Sequence, residues 1–289
     1  MKIIDLHSHW GTARGYPLRR KETLELQKRN WNSTPSYMTE AEMAEYFVAQ
    51  NVQTVLDFGF SKFASLSELR ELHDYAFEVQ RRYPEAILGH WVHTDPSLGE
   101  AALDELVRCI ELAPRFIGLA VNGSGGAPAS DASYEPLYQL CIQRNIPVLI
   151  FIGTTNQGSG LPGGGGVLLD HCHPRHLDAV AARFPDLQIV AGRPAWPWQA
   201  EANAVLIHKK NVWYELHGWS PKYHTPELKY EITHRLKDRV MFGADYPLLS
   251  YERLVGDWHN EGYDNETLER VFHRNAEAFL RSMGREAWI

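Results

Sequence analysis

Short apolar runs alternate along this chain with longer stretches in which apolar positions recur every three or four residues. The first run, Ile3-Ile4-Asp5-Leu6-His7-Ser8-His9-Trp10, places His7 and His9 two positions apart, and side chains two apart on a strand share a face. Further apolar runs predict strands over residues 52–58, 86–93, 116–121, 147–152, 187–191, 212–216 and 240–243. The near-unbroken apolarity of residues 147–152 suits a strand buried on both faces. Between the strands the helical period predicts helices over residues 66–82, 99–112, 134–144, 174–184, 199–208 and 226–236, with more helix to the C-terminus. Thr39, with Glu42 three residues on, reads as a capping box at an earlier helix start.

Eight strands, each followed by helix, imply a parallel sheet, and eight such units close a ring. The reading is α/β: a single (β/α)8 TIM barrel over residues 1–289, with a long loop after strand one and extra C-terminal helices. A length of 289 residues fits, since such barrels take about 250 residues plus insertions. A doubly wound open sheet is the rival, but Gly163 to Gly166 follow a loop and carry no GKS or GKT, so they form no phosphate cradle. The excursion over residues 11–40 is expected to act as a lid or a subunit contact.

Composition narrows the partners. With 29 basic against 36 acidic residues and the basic ones scattered, nothing resembles a nucleic-acid stripe, and a small-molecule partner is expected. The absence of a long apolar run argues against a membrane span, and a strand at the very start suggests a cytoplasmic protein. Cys109, Cys141 and Cys172 show no CxxC spacing, which argues against a disulfide framework and a thiolate zinc cluster.

In a barrel the chemistry stands at the carboxyl ends of the strands. Those ends offer His7 and His9, Asp57 and Ser61, His93, Asn122, Phe151 with Thr154 and Thr155, Arg193, Glu215 and His217, and Asp245. Trp10, Trp196, Trp198, Trp219 and Tyr246 are expected on the same rim. Two imidazoles side by side make half a metal site. Strand eight neighbours strand one in a closed barrel, so Asp245 can reach an ion held there, as a ligand or as the base for a bound water. The plainer reading is that Asp245 caps the bend before Pro247.

Four segments carry a family likeness: Asp5-Leu6-His7-Ser8-His9; Arg183-Phe184-Pro185-Asp186-Leu187; Pro194 with Pro197-Trp198; and Phe242-Gly243-Ala244-Asp245-Tyr246-Pro247. With the closing Asn275-Ala276-Glu277-Ala278-Phe279 they resemble the amidohydrolase-related (amidohydrolase 2) family. That branch of the amidohydrolase superfamily includes aminocarboxymuconate-semialdehyde decarboxylase and the resorcylate-type decarboxylases. The resemblance implies one divalent metal, usually zinc or manganese, on the HxH pair, a strand-five histidine and the strand-eight aspartate. A strand-six histidine then serves as acid or base. The chain departs from this pattern twice, with Phe151 at the strand-five position and Arg193 at the strand-six position. Phenylalanine ligates nothing, and arginine stays protonated, so Arg193 can anchor a carboxylate or stand in for positive charge but cannot bind a metal. No lysine lies between Phe116 and Gly125 to bridge two metals through a carbamate.

His217 is the first choice for the missing ligand, with Glu215 on the same strand face; His171, His173 and His93 are the alternatives. The expectation is therefore one divalent metal, zinc before manganese or iron, on His7, His9, Asp245 and His217. Asp245 and Arg193 are the expected catalytic residues, and Arg193, Trp10, Trp196 and Trp219 the substrate contacts. The reaction expected is hydrolysis or non-oxidative decarboxylation of a small carboxylate or aromatic compound. Two other readings stand beside it. One is an altered subunit of a heteromeric metalloenzyme, an oxygenase among the options, working with a homologous barrel; the other is a plain binding protein. A homo-oligomer is expected otherwise, with Trp258, Tyr263, Phe272 and Trp288 suiting an interface.

Overall fold

The computed structural model describes residues 1–16, 25, 28–29, 37–58 and 65–285. Eight parallel strands alternate with helices: β1 (Ile3–Ser8), α1 (Glu40–Ala49), β2 (Val52–Asp57), α2 (Leu66–Arg82), β3 (Ile87–Val92), α3 (Glu100–Leu112), β4 (Phe116–Val121), α4 (Glu135–Arg144) and β5 (Val148–Phe151). Then come α5 (Pro174–Arg183), β6 (Ile189–Gly192), α6 (Gln199–His208), β7 (Val212–Glu215), α7 (Pro226–Thr233), β8 (Val240–Met241) and α8 (Tyr251–Asn260). Two further helices, α9 (Asn265–Glu269) and α10 (Asn275–Ser282), follow, joined by a π turn. The strands lie in sequence order. Leu6 N–H donates to Phe242 O at 2.9 Å and Asp245 N–H to His7 O at 2.9 Å, so the chain just past β8 returns to β1. This is the (β/α)8 barrel expected from the alternation.

The barrel interior is filled by Ile4, Leu6, Val55, Leu88, Trp91, Phe116, Leu149, Phe151, Val190 and Met241. Phe279 and Leu280 of α10 join that cluster, and Asn145, just before β5, donates to Met283 O at 2.9 Å. The C-terminal helix therefore closes the barrel at the amino ends of the strands. A larger apolar layer fills the space between strands and outer helices. α1 starts on the capping box, with Thr39 N–H donating to Glu42 at 2.8 Å and Glu42 N–H to Thr39 at 3.3 Å.

β8 is shorter than the apolar pattern predicts, because Phe242 N–H leaves the β7 ladder to donate to Val271 O at 3.0 Å. Most of the loop expected to act as a lid or subunit contact, together with Ser61 and Trp288, lies outside the described residues. Among the described residues no helix is long and apolar enough to cross a membrane.

One charged cluster holds α2 against α3. Glu105 is fully buried and accepts from His73 Nδ1 at 2.8 Å, Arg70 Nε at 2.8 Å, and Arg108 Nε and Nη2 at 2.9 and 2.8 Å. Burial pushes this carboxyl up, but the hydrogen bonds from His73, Arg108 and Arg70 outweigh it and hold Glu105 well below the usual carboxylate range. His73, Glu105 and Cys109 bring donor atoms close enough for a metal. Two guanidinium groups already occupy the carboxylate, and burial raises the Cys109 thiol far above neutrality. The cluster therefore works as a structural ion pair.

A carboxyl held low in the folded chain contributes stability above its unfolded pKa and loses it as pH falls through the folded value. Glu105→Gln should cost about 1–3 kcal/mol at pH 7. Urea midpoints of variant and wild type should converge as the pH drops below about 4, near the carboxylate's ordinary value. Equal midpoints at pH 7 would remove the ion pair from the account of stability.

Candidate metal centre

The carboxyl end of β1 is fixed by one buried carboxylate. Asp5 accepts from His7 N at 2.9 Å, Ser8 Oγ at 2.5 Å, Ala244 N at 3.1 Å and Tyr251 Oη at 2.6 Å. Burial pushes Asp5 up to about 6, against the pull of these donors. Two of the donors belong to the chain beyond β8, so Asp5 sets the distance between the HxH pair and Asp245. Asp245 adopts a left-handed backbone, φ 59°, which non-glycine residues adopt only when neighbouring contacts impose it. Its Oδ1 then lies 3.1 Å from His9 Nε2 and 3.7 Å from His7 Nδ1.

Asp57, at the end of β2, orients both imidazoles. Its Oδ2 lies 3.2 Å from His7 Nε2, and its backbone carbonyl lies 2.6 Å from His9 Nδ1. These oxygens accept, the carboxylate because it is ionised: burial would raise Asp57, but His93 and His7 hold it well below the usual range. The ring hydrogens therefore sit on His7 Nε2 and His9 Nδ1. The remaining lone pairs, on His7 Nδ1 and His9 Nε2, face Asp245.

Two lone pairs and a carboxylate facing one another repel unless a cation lies between them. His7 Nδ1 is buried and has no hydrogen-bond partner among the described residues. The donor atoms of His7, His9 and Asp245 all lie within 4.8 Å of one another. Spacings of 3.1 and 3.7 Å bracket the ~3.4 Å edge of a tetrahedron with ~2.1 Å metal–ligand bonds. This N,N,O set fits a divalent ion with positions left open. Without one, a proton takes the place: despite burial, the Asp245 carboxylate raises His9 and is itself held low by His9.

The other histidines expected near the ion are engaged elsewhere. His93 Nε2 lies 2.8 Å from Asp57 Oδ1. His171 donates to Gly126 O at 2.7 Å, and His173 Nδ1 caps α5 by accepting from Arg175 N at 3.1 Å. His217 comes nearest, its ring stacked on His7 with 3.8 Å between centroids. Its Nδ1 bonds Glu215, and its Nε2 accepts from Arg193 Nε at 3.2 Å, so neither nitrogen is turned to the His7, His9 and Asp245 donors. Burial pushes His217 down to about 3 and Glu215 up to about 8.

Arg193 leaves the end of β6 through a left-handed residue, φ 78°. Its Nη1 donates to Thr154 O at 3.1 Å, and its guanidinium carbon stands 5.1 Å from the centre of the Phe151 ring. Trp196 is half exposed and stacks on Trp219 at 6.0 Å. Trp10 is not on this rim: it is fully buried against Phe47 and Tyr83 in the outer layer. One position past His9, it takes the opposite face of the extended chain. Sequence reasoning left Asp5 and Asp57 without roles. The available signal for Asp57 was its place at the end of the strand that pairs with β1, where Ser8 stands beside Leu56.

A protein-family model described as Amidohydrolase matches residues 4–282. No curated protein matches the chain. Solved structures do. An uncharacterized TIM-barrel protein from Bordetella bronchiseptica is 20% identical, with TM-score 0.72 over 99% of this chain and 100% of that one. 2,6-Dihydroxybenzoate decarboxylase from Rhizobium is 15% identical, with TM-score 0.70 over 98% and 99% of the two chains. A dihydroxybenzoic acid decarboxylase from Polaromonas sp. JS666, with bound manganese and 2-nitroresorcinol, is 16% identical, with TM-score 0.68 over 100% and 99%. At these identities the likeness carries the barrel.

The Asp57 contacts fix ring tautomers, which nitrogen-15 NMR of histidine-labelled protein reads directly. In metal-free protein near pH 8, His7 should be the Nε2–H form. Asp57→Asn should leave His7 a mixture of tautomers while His9, held by the backbone carbonyl, keeps its Nδ1 proton. A His7 signal unchanged by Asp57→Asn would remove Asp57 from this role.

Proposed function

The chain belongs to the amidohydrolase family, and on that premise we propose that it is a metal-dependent hydrolase acting on a small carboxylate anion. The observation carrying this reading is the ionised Asp245 against the lone pairs of His7 and His9, with Arg193 as a separate fixed cation on the far side of the His7–His217 stack. A divalent ion on His7 Nδ1, His9 Nε2 and Asp245 would supply Lewis-acid polarisation of a carbonyl and a water of lowered pKa. Manganese, the ion in the Polaromonas decarboxylase, suits this donor set as zinc does.

The protein's own groups supply the rest. Asp245, held ionised, accepts a proton from water and is the general base. Arg193 grips the substrate carboxylate, and Trp196 with Trp219 offers flat apolar surface beside it. His217 is neutral at physiological pH and adds no positive charge against the ion.

Non-oxidative decarboxylation is the second reading, supported by the decarboxylases among the similar structures. Hydrolysis is preferred on physical grounds. A carboxylate held by guanidinium is stabilised in the ground state, and losing it as carbon dioxide gives up that interaction, so such a grip slows the step. Arg193 thus reads as the holder of a carboxylate that survives the reaction. An altered subunit paired with a homologous barrel would follow instead if the chain copurified with such a partner and turned over nothing alone.

Elemental analysis of purified protein should give about one manganese or zinc per chain, and His7→Ala or Asp245→Ala should lower metal affinity by at least about 100-fold. Metal content unaffected by both substitutions would overturn the metal centre. Screened against small lactones, esters and amides that carry a free carboxylate, the loaded enzyme should hydrolyse at least one. For that substrate Arg193→Ala should raise KM about 10- to 100-fold. Release of labelled carbon dioxide from hydroxybenzoates, with no hydrolysis in the screen, would replace hydrolysis by decarboxylation.

A further inference from the structure

Glu215 is an unusual residue to find inside a barrel wall. It is fully buried, and the barrel makes room for it with two glycines. A Cβ at Gly192 would come 2.8 Å from its Oε1, and a Cβ at Gly243 would come 2.2 Å from its Oε2. A buried carboxylate is costly unless its hydrogen bonds are satisfied, and here both side-chain bonds come from one residue. His217 donates its backbone N–H to Oε2 at 2.9 Å, and its ring Nδ1 bonds Oε1. A guanidinium N–H can only donate, so the Nε2 lone pair accepts from Arg193 Nε–H at 3.2 Å and the ring proton sits on Nδ1, facing Glu215.

Arg193 is tied to the same unit by its backbone, with its N–H donating to Glu215 O at 3.1 Å. Thr154 O takes one Nη1 hydrogen, and the Phe151 ring lies beneath the guanidinium. Two of the five N–H groups of an arginine are thereby used. The others have no acceptor among the described residues, and they include both hydrogens of Nη2, enough for a bidentate hold on a carboxylate.

Resting on the reading of Arg193 as the substrate anchor, the geometry points to Glu215 and His217 as a positioning pair that sets the tilt of that guanidinium and so selects carboxylate substrates. Glu215 fixes the imidazole, the imidazole fixes Nε, and the outward edge of Arg193 is left in one orientation. This gives the stacked ring beside His7 a purpose other than metal ligation.

The test uses the full chain loaded with manganese, and benzoate as the probe, with benzamide as its uncharged counterpart. Calorimetric titration reads benzoate affinity, and elemental analysis of the same samples reads metal. Arg193→Ala should weaken benzoate about 10- to 100-fold and leave benzamide unchanged. His217→Leu should weaken benzoate at least about fivefold with manganese still at about one per chain, while His217→Gln, which restores an acceptor for Nε–H, should recover part of the loss. Placed in the Arg193→Ala background, His217→Leu should have no further effect, because its influence runs through the guanidinium.

Glu215→Gln supplies a second, isosteric variant. Its amide still accepts the ring proton but opposes the His217 backbone N–H, so benzoate affinity should fall between wild type and His217→Leu. Wild-type benzoate affinity in His217→Leu would overturn the positioning pair. Equal losses with and without Arg193, or loss of manganese with the His217 ring, would do the same. If Arg193→Ala itself leaves benzoate affinity unchanged, it is the anchor in the proposed function that fails.

Discussion

The spacing of His7, His9 and Asp245 at the mouth of this barrel depends on one buried carboxylate. Asp5 gathers donors from two segments far apart in sequence, the end of β1 and the chain beyond β8. Removing a carboxylate from water is expensive, and only several well-placed hydrogen bonds offset it. Burial still leaves Asp5 raised, so the cost is not fully cancelled. What this secures is distance. The backbone bond from Asp245 to His7 O and the left-handed turn at Asp245 follow from the same closure. A slip of one residue there would send the Asp245 carboxylate to the other face of the strand.

Two charged networks then share the space above the interior. Asp57 serves His7, His9 and His93 on one side, and Glu215 serves His217 and Arg193 on the other. Their boundary is the His7–His217 stack. Each network places a carboxylate behind an imidazole, but the outcomes differ in sign. In front of His7 the arrangement leaves a lone pair turned toward Asp245; in front of His217 the lone pair is already taken by a guanidinium. The same acid–histidine unit thus serves the proposed cation site on one side and the proposed anion site on the other.

How far the sequence disclosed this depends on what each feature needs. Strand and helix order is written in periodicity, which burial enforces, and the eightfold alternation was enough for the barrel. His7, His9 and Asp245 could be paired in advance because neighbouring first and last strands are a property of closure alone. Ring direction is not of that kind. His93 ends a strand as His7 nearly does, yet its nitrogen goes to Asp57; His217 lies beside His7, yet both its nitrogens are taken. Trp10 shows the limit most simply, since a rim position in sequence became a core position through the alternation of side chains beyond a strand's end. Asp57 was placed at a strand end and Asp5 in the first motif, but neither was given a role, because a single aspartate in an apolar run carries no spacing signal.

The sealing of the barrel's amino end has its own consequence. Phe279 and Leu280 stop the lower opening, and Trp91, bonded to Leu6 O at 2.6 Å, fills the axis below the histidines. Among the described residues the barrel axis below the histidines is filled by packed side chains. On the proposed function, a substrate then reaches the histidines from the carboxyl ends of the strands and its product leaves the same way. On that same reading, a product that kept its carboxylate on Arg193 would block its successor, and the tempo of turnover would belong to departure as much as to bond breaking.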